Sequence, residues 1–382
     1  MKPYQIRIPT NIFWGRDIWR ETISKQHFFE GSIMIATTGR SLIQLGYVQE
    51  IKEYIEQCPS VKKVIVFDNV SANPRLSEVR EGIKIAKQNK VNLIVGFGGG
   101  SALDTAKAVA VGARVEDDIA EFFYGKREPG YDTLPIIAIP TTAGSGSELS
   151  KAAIITDDEK NIKSGIRGDA LYPIVAIVDS IFTESVPFHV TMETGFDVLA
   201  HAIESYIAKA SSPYTQMQSE YAVKTVGEML PRLTMDLKDV EARREMSYAS
   251  MIMGINLGNA GTGLPHRLQY PLGVYTDTSH GLGLAALYTS WIDCEYKYNR
   301  EKLEKLMSIL WEQRVQGKDE CINKMRQFIE LLKLPSSLKK LGINTIQIND
   351  MADVVSGNLF NDPASQEEDI IIKIYENALE ER

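Results

Sequence analysis

Hydrophobic residues in the first half of the chain gather into short unbroken runs instead of alternating with polar ones. Runs at Ser32–Thr37, Lys63–Phe67, Asn92–Gly96, Leu134–Ile139 and Ile174–Asp179 read as strands covered on both faces, which predicts a mostly parallel sheet between helices. Between the second and third runs, Asn73-Pro74 supplies a cap and a first-turn proline, after which Leu76, Val79, Ile83 and Ala86 recur at helical spacing. That is a strand–helix–strand crossover.

After Asp179 the texture changes. Strand-like runs stop, and Val198–Ala208, Gln216–Met229, Val240–Met253 and Lys302–Gln313 all carry helical periodicity. The pattern predicts an α/β N-terminal domain over residues 1–182 and an all-α domain over residues 183–382, with the boundary near Ile181–Phe188. A length of 382 residues exceeds what one core holds, in keeping with two domains. A cleft between them is the default place for chemistry.

Composition adds mainly exclusions. Apolar residues make up 44% and charged residues 24%, with a net charge of −8 and no basic run, so nucleic acid is not an expected partner. Cys58, Cys294 and Cys321 lie far apart without a CxxC pair, which suits a reducing compartment. The N-terminal residues show no apolar signal core and no later run reaches a membrane span, so the expected address is the cytoplasm without a membrane partner.

Two segments invite phosphate chemistry. Gly96-Phe97-Gly98-Gly99-Gly100-Ser101 follows an apolar run and precedes a helical face marked by Leu103, Ala106 and Ala110. Glycines admit a ligand close to the backbone, and free N–H groups at a helix start favour an anion. The match to GxGxxG is incomplete, because Ser101 takes the last position, and a bare tight turn fits too. Pro140-Thr141-Thr142-Ala143-Gly144-Ser145-Gly146-Ser147-Glu148 again follows an apolar run and is rich in hydroxyls. Two such segments at successive strand ends argue for a dinucleotide.

The chain holds five histidines: His27, His189, His201, His266 and His280. Asp197 and His201 are four apart in a helical stretch and share a face. With His266 and His280 they make a carboxylate and three imidazoles, a donor set that suits Zn²⁺ or Fe²⁺ better than Mg²⁺ or Ca²⁺. Spacing alone leaves open that each histidine is a core residue and the helix pair simple support.

With these residues the chain resembles the iron-containing alcohol dehydrogenase family, related to glycerol dehydrogenases and dehydroquinate synthases, over essentially its whole length. The matching pieces are Gly98–Ser101 with Asp104 and Lys107, then Pro140–Glu148 and Gly195–Tyr206. Gly258–Gly261, His266, Pro271–Gly273, His280-Gly281 and Asn361-Asp362-Pro363 follow in order. The resemblance implies that Asp197, His201, His266 and His280 hold one divalent metal, Fe²⁺ before Zn²⁺. It places Gly98, Gly99, Gly100 and Ser101 at a pyrophosphate, with Asp104 beside them, Thr141, Thr142 and Ser145 at the nicotinamide, and Lys163 at a ribose. It further implies an alcohol dehydrogenase or aldehyde reductase and a homodimer.

Two departures from the family pattern single out this chain. Tyr270 stands where relatives commonly carry a histidine four residues after the third ligand, and Arg267 directly follows that ligand, so both are candidate catalytic residues. At the end of the first predicted strand the sequence reads Thr37-Thr38-Gly39-Arg40, with Gly39 where NAD-using relatives carry an Asp. A missing carboxylate and the Arg40 charge favour NADP(H) over NAD(H). Arg267 and Arg167 together suggest an anionic aldehyde such as a phosphonate or carboxylate. A lyase resembling dehydroquinate synthase, with recycled NAD, is the alternative, and the third histidine counts against it.

Overall fold

The structure, a computed structural model, describes residues 3–25, 28–38 and 40–379, with only the backbone of Arg40. Its contacts divide the chain into one unit of Ile8–Ser185 and a second that runs from Val186 onward and includes residues 3–7.

In the first unit a six-stranded sheet is built from β1 (Asn11–Gly15), β2 (Gly31–Thr37), β3 (Val61–Phe67), β4 (Val91–Gly98), β5 (Ile136–Pro140) and β8 (Val175–Asp179). The spatial order is β1-β8-β5-β4-β2-β3, and every pairing is parallel. Five of the six strands are the apolar runs expected from the sequence. All five residues of β5 and of β8 are buried, as a central strand covered on both faces requires. The run at β1 is too short to stand out, and the edge position leaves it only partly covered. A two-stranded antiparallel hairpin of β6 (Ala152–Asp157) and β7 (Ile162–Arg167) is a further addition. Its residues alternate between buried and half-buried along β6.

From β2 the chain moves outward to β3, then returns to the other side of β2 as β4. The carboxyl ends of β2 and β4 therefore form a topological switch point, where open parallel sheets bind ligands. The helix Gly100–Gly112 starts there and is buried from Ala102 to its end.

The second unit is helical. Its main helices are Phe188–Ile207, Pro213–Met235, Val240–Asn259, Leu264–Thr276, His280–Leu310, Lys318–Leu331, Ile346–Asp353 and Ile370–Leu379. The long His280–Leu310 helix is broken by non-helical backbone at Asn299, which is why its second half reads as a separate periodic stretch. A Cβ on Gly281 would lie 2.3 Å from the carbonyl oxygen of Glu193. Only glycine lets the start of this helix approach Phe188–Ile207 so closely. No helix among the described residues is long and apolar enough to cross a membrane.

Candidate metal centre and dinucleotide site

Asp197 and His201 project from one face of the Phe188–Ile207 helix, His266 lies in the first turns of Leu264–Thr276, and His280 opens the next long helix. All four meet. Asp197 Oδ1 lies 3.6 Å from His201 Nε2, 3.3 Å from His266 Nε2 and 3.6 Å from His280 Nε2. Ligands about 2.1 Å from a tetrahedral ion stand about 3.4 Å apart, which the three distances from Asp197 match; donor atoms of Asp197, His201 and His266 all lie within 4.8 Å of one another, and His280 joins them through its approach to Asp197.

Two observations show that these residues fit a cation. Asp197 Oδ1 and His266 Nε2 are buried and have no hydrogen-bond partner among the described residues, an arrangement costly to leave unfilled. The donor set, one carboxylate and three imidazoles, suits a divalent ion of the Fe²⁺ or Zn²⁺ kind. Electrostatics agree. Burial works to raise the Asp197 carboxyl, but His201, His280 and His266 outweigh it and hold the group well below the usual carboxylate range. Burial likewise opposes charge on His266, yet Glu204 and Asp197 push it up to about 10.

The imidazoles are aimed by residues that the sequence reading did not assign. Both oxygens of Glu204 lie within 2.8 and 2.9 Å of His266 Nδ1, and Oε2 also accepts from the Gly263 backbone N–H at 2.7 Å. Glu204 sits three residues after His201 and seven after Asp197, so the helical face was a usable signal. His280 Nδ1 meets Gln269 Oε1 at 2.5 Å. Such partners fix the ring orientation and leave Nε2 for a metal. Asn361 donates to the carbonyls of Ala260 and Thr262 at 2.8 and 2.9 Å, and Asp362 accepts from the Leu264 N–H at 2.8 Å. The Asn361-Asp362 pair thus pins the turn that presents His266.

Tyr270 is buried, with its ring centre 6.4 Å from that of His280. Arg267, half-buried, donates to the Tyr270 hydroxyl at 3.1 Å and to Thr262 Oγ1 at 3.2 Å. Arg167, in the other unit, donates to the Gly165 carbonyl at 2.9 Å.

The two glycine- and hydroxyl-rich segments meet at the switch point. Thr141 N–H donates to the Gly98 carbonyl at 3.0 Å. A Cβ on Gly99 would lie 3.3 Å from Thr142 Oγ1, one on Gly100 2.9 Å from Ser145 Cβ, and one on Gly98 3.0 Å from Thr38 Oγ1. Side chains would fill this cradle, and glycine keeps it open. The Ser101 hydroxyl donates to the Ala72 carbonyl at 2.5 Å, and Lys163 Nζ donates to Asn73 Oδ1 at 2.9 Å. Gly39 lies outside the described residues, as does the Arg40 side chain.

Asp104, which the resemblance sets beside the turn, is buried. It accepts from the Ser147 hydroxyl at 2.5 Å and the Ile154 N–H at 2.9 Å. Fully buried Lys107 donates to the carbonyls of Ser147, Ser150 and Ala152 at 2.6, 3.0 and 2.9 Å. Together they lock the second segment to the helix that begins at the first. Burial pulls the Lys107 ammonium down to about 8, against the pull of Asp104 and Glu148.

Comparison with known proteins places both units in one family. Residues 9–180 match the family model for iron-containing alcohol dehydrogenase, and residues 191–379 match that for the Fe-containing alcohol dehydrogenase family, C-terminal. The chain is 30% identical over 369 residues to choline dehydrogenase of Bacillus subtilis, covering 95% of this chain and 90% of the relative. It is 32% identical over 279 residues to the NAD-dependent methanol dehydrogenase of Bacillus methanolicus, covering 72% and 71%. Among solved structures, sulfoacetaldehyde reductase from Bifidobacterium kashiwanohense in complex with NAD⁺ superposes with a TM-score of 0.87 at 27% identity, covering all of both chains.

Proposed function

The chain belongs to the iron-containing alcohol dehydrogenase family, an oxidoreductase family of the alcohol/aldehyde pair, and from that premise we propose an aldehyde reductase that uses NADPH and takes short aldehydes bearing an acidic group. The observation that carries this reading is the convergence of Asp197, His201, His266 and His280, with buried Asp197 Oδ1 and His266 Nε2 unpartnered. A divalent cation held there, which we take to be iron, supplies Lewis-acid polarisation of a carbonyl.

The chain's own residues set the rest. Glu204 and Gln269 fix two of the imidazoles in one tautomer and orientation. The Tyr270 hydroxyl accepts from Arg267, which leaves its own O–H to be donated, so Tyr270 can pass a proton to an alkoxide directly or through water. The glycine cradle with Thr141, Thr142, Ser145 and Lys163 is the proposed dinucleotide seat.

Sulfoacetaldehyde reductase, by its name, takes an aldehyde with a sulfonate, which supports an acidic substrate here. The preference for NADPH rests on Thr37-Thr38-Gly39-Arg40, which puts a positive residue and no carboxylate after β2. A homodimer in the cytoplasm completes the reading. Anaerobic purification with metal analysis, then an NADPH- and NADH-linked screen of acidic and neutral aldehydes, tests it. Oxidation of neither cofactor by any aldehyde overturns the reductase. Equal effects of Arg40→Ala on the KM for NADPH and for NADH overturn the cofactor preference.

A further inference from the structure

We propose that Arg267 selects the substrate: its guanidinium receives the terminal oxyanion of a short carboxylated, sulfonated or phosphonylated aldehyde. The inference rests on the aldehyde-reductase reading and assigns the recognition of the acid to one residue.

Arg267 directly follows the metal-ligand candidate His266 on the Leu264–Thr276 helix, and its Cζ lies 5.6 Å from the centre of the Tyr270 ring. That ring in turn lies beside His280. The guanidinium therefore stands within a small molecule's reach of the ligand cluster.

Its bonding is incomplete. Nη1 donates to Tyr270 and Nη2 to Thr262, so two of five N–H donors meet neutral hydroxyls. Nε is buried without a partner, and among the described residues no carboxylate forms an ion pair with Arg267. Other arginines of the helical unit differ. Arg232 pairs with Asp239 and Glu241, and buried Arg243 gives all three nitrogens to the Leu237 and Val186 carbonyls and the Thr191 hydroxyl.

Charge counts the same way. The nearby carboxylates are engaged elsewhere: Asp197 and Glu204 face the histidines, and Asp362 accepts from the Leu264 N–H and Trp291 Nε1. A half-buried charge without a counter-ion is costly, and an oxyanion that docks bidentately on the remaining donors relieves the cost. The two hydroxyl contacts hold the fork in place before the anion arrives. A Cβ on Gly357, whose φ is +99°, would lie 3.2 Å from Arg267 Cδ, so the loop backs the side chain and restricts it further.

The test uses metal-loaded wild type, Arg267→Gln and Arg267→Lys. Sulfoacetaldehyde, phosphonoacetaldehyde and malonate semialdehyde are compared with neutral propanal. Wild type is expected to prefer one or more of the acids, and the arm with the lowest KM identifies the oxyanion. Arg267→Gln is expected to raise the KM for that acid about tenfold or more, far more than the KM for propanal, with bound metal and Tm retained, and Arg267→Lys to recover part of the loss.

A parallel titration calorimetry series with propionate, ethanesulfonate and ethylphosphonate needs no turnover. Binding that weakens in Arg267→Gln supports the assignment even if every aldehyde fails as a substrate, which would overturn the reductase reading alone. Acid binding indifferent to Arg267, or equal losses for acidic aldehydes and propanal, overturns the assignment.

Discussion

Glu204 belongs to the helix that carries Asp197 and His201, yet its carboxylate grips His266 on another helix, with both oxygens within 2.9 Å of Nδ1. One helix thus supplies two metal-ligand candidates and the group that aims a third. Because Glu204 also takes the Gly263 N–H, it holds both the ring and the turn before it. Replacing it by Gln keeps the shape but removes the charge. We expect Glu204→Gln to weaken metal binding by about 10- to 100-fold with the fold retained, measured by competition with a chromogenic chelator. Unchanged affinity would show that the His266 ring is held by its packing alone.

The two histidines beyond the helix pair should not be equivalent. The His266 side chain is 5% exposed and backed by a carboxylate, whereas that of His280 is 30% exposed and backed by the neutral Gln269 amide. Burial and charge both make His266 the stronger ligand. His280→Ala should therefore retain more metal after dialysis than His266→Ala. Chelation of the wild type should lower Tm, and Fe²⁺ or Zn²⁺ but not Mg²⁺ should restore it, because binding to the folded state alone stabilises it. Equal metal loss in the two variants would contradict the ranking.

The sequence reveals the strands β2, β3, β4, β5 and β8 because burial on both faces demands unbroken apolar runs. The same logic fails for β6, whose Ala-Ala-Ile-Ile-Thr-Asp is half-buried and carries no clear period, and for the short edge strand β1. Asp197 and His201 are legible as an i,i+4 pair, but the contact of Glu204 with His266 spans 62 residues. No local pattern encodes such a contact. Asp362 and Gly357 reach the His266 turn and Arg267 from near the chain's end for the same reason, so the histidines are visible in the sequence and what aims them is not.

Tyr270 occupies a place where its hydroxyl accepts from Arg267 and its ring lies near His280. If it donates a proton in the reduction, Tyr270→Phe should lower kcat while the KM for the nicotinamide cofactor stays constant, and the alkaline limb of the kcat–pH profile should shift or disappear. Since Arg267 keeps its Thr262 contact in this variant, the acid preference should persist. An unchanged kcat–pH profile would reduce Tyr270 to a packing residue that holds Arg267.

Glu295 and Asp362 are both fully or almost fully buried and hydrogen-bond to each other. The Ala364 N–H donates to both carboxylates at 3.0 Å, and Asp362 also accepts from Trp291 Nε1 at 3.0 Å. Two carboxylates at this depth share a proton, because ionising both would put like charges in contact away from water. Burial, followed by the Asp362 charge, pushes the Glu295 carboxyl up to about 9. The folded state thus binds a proton that the unfolded chain, with an ordinary Glu, releases near pH 4.5. Stability from this group is complete below that pH and falls as pH rises toward 9. Glu295→Gln supplies the shared hydrogen permanently. Its Tm advantage over the wild type should grow steadily from pH 5 to pH 9 and level off above. A difference independent of pH would mean that the pair does not hold its proton through this range.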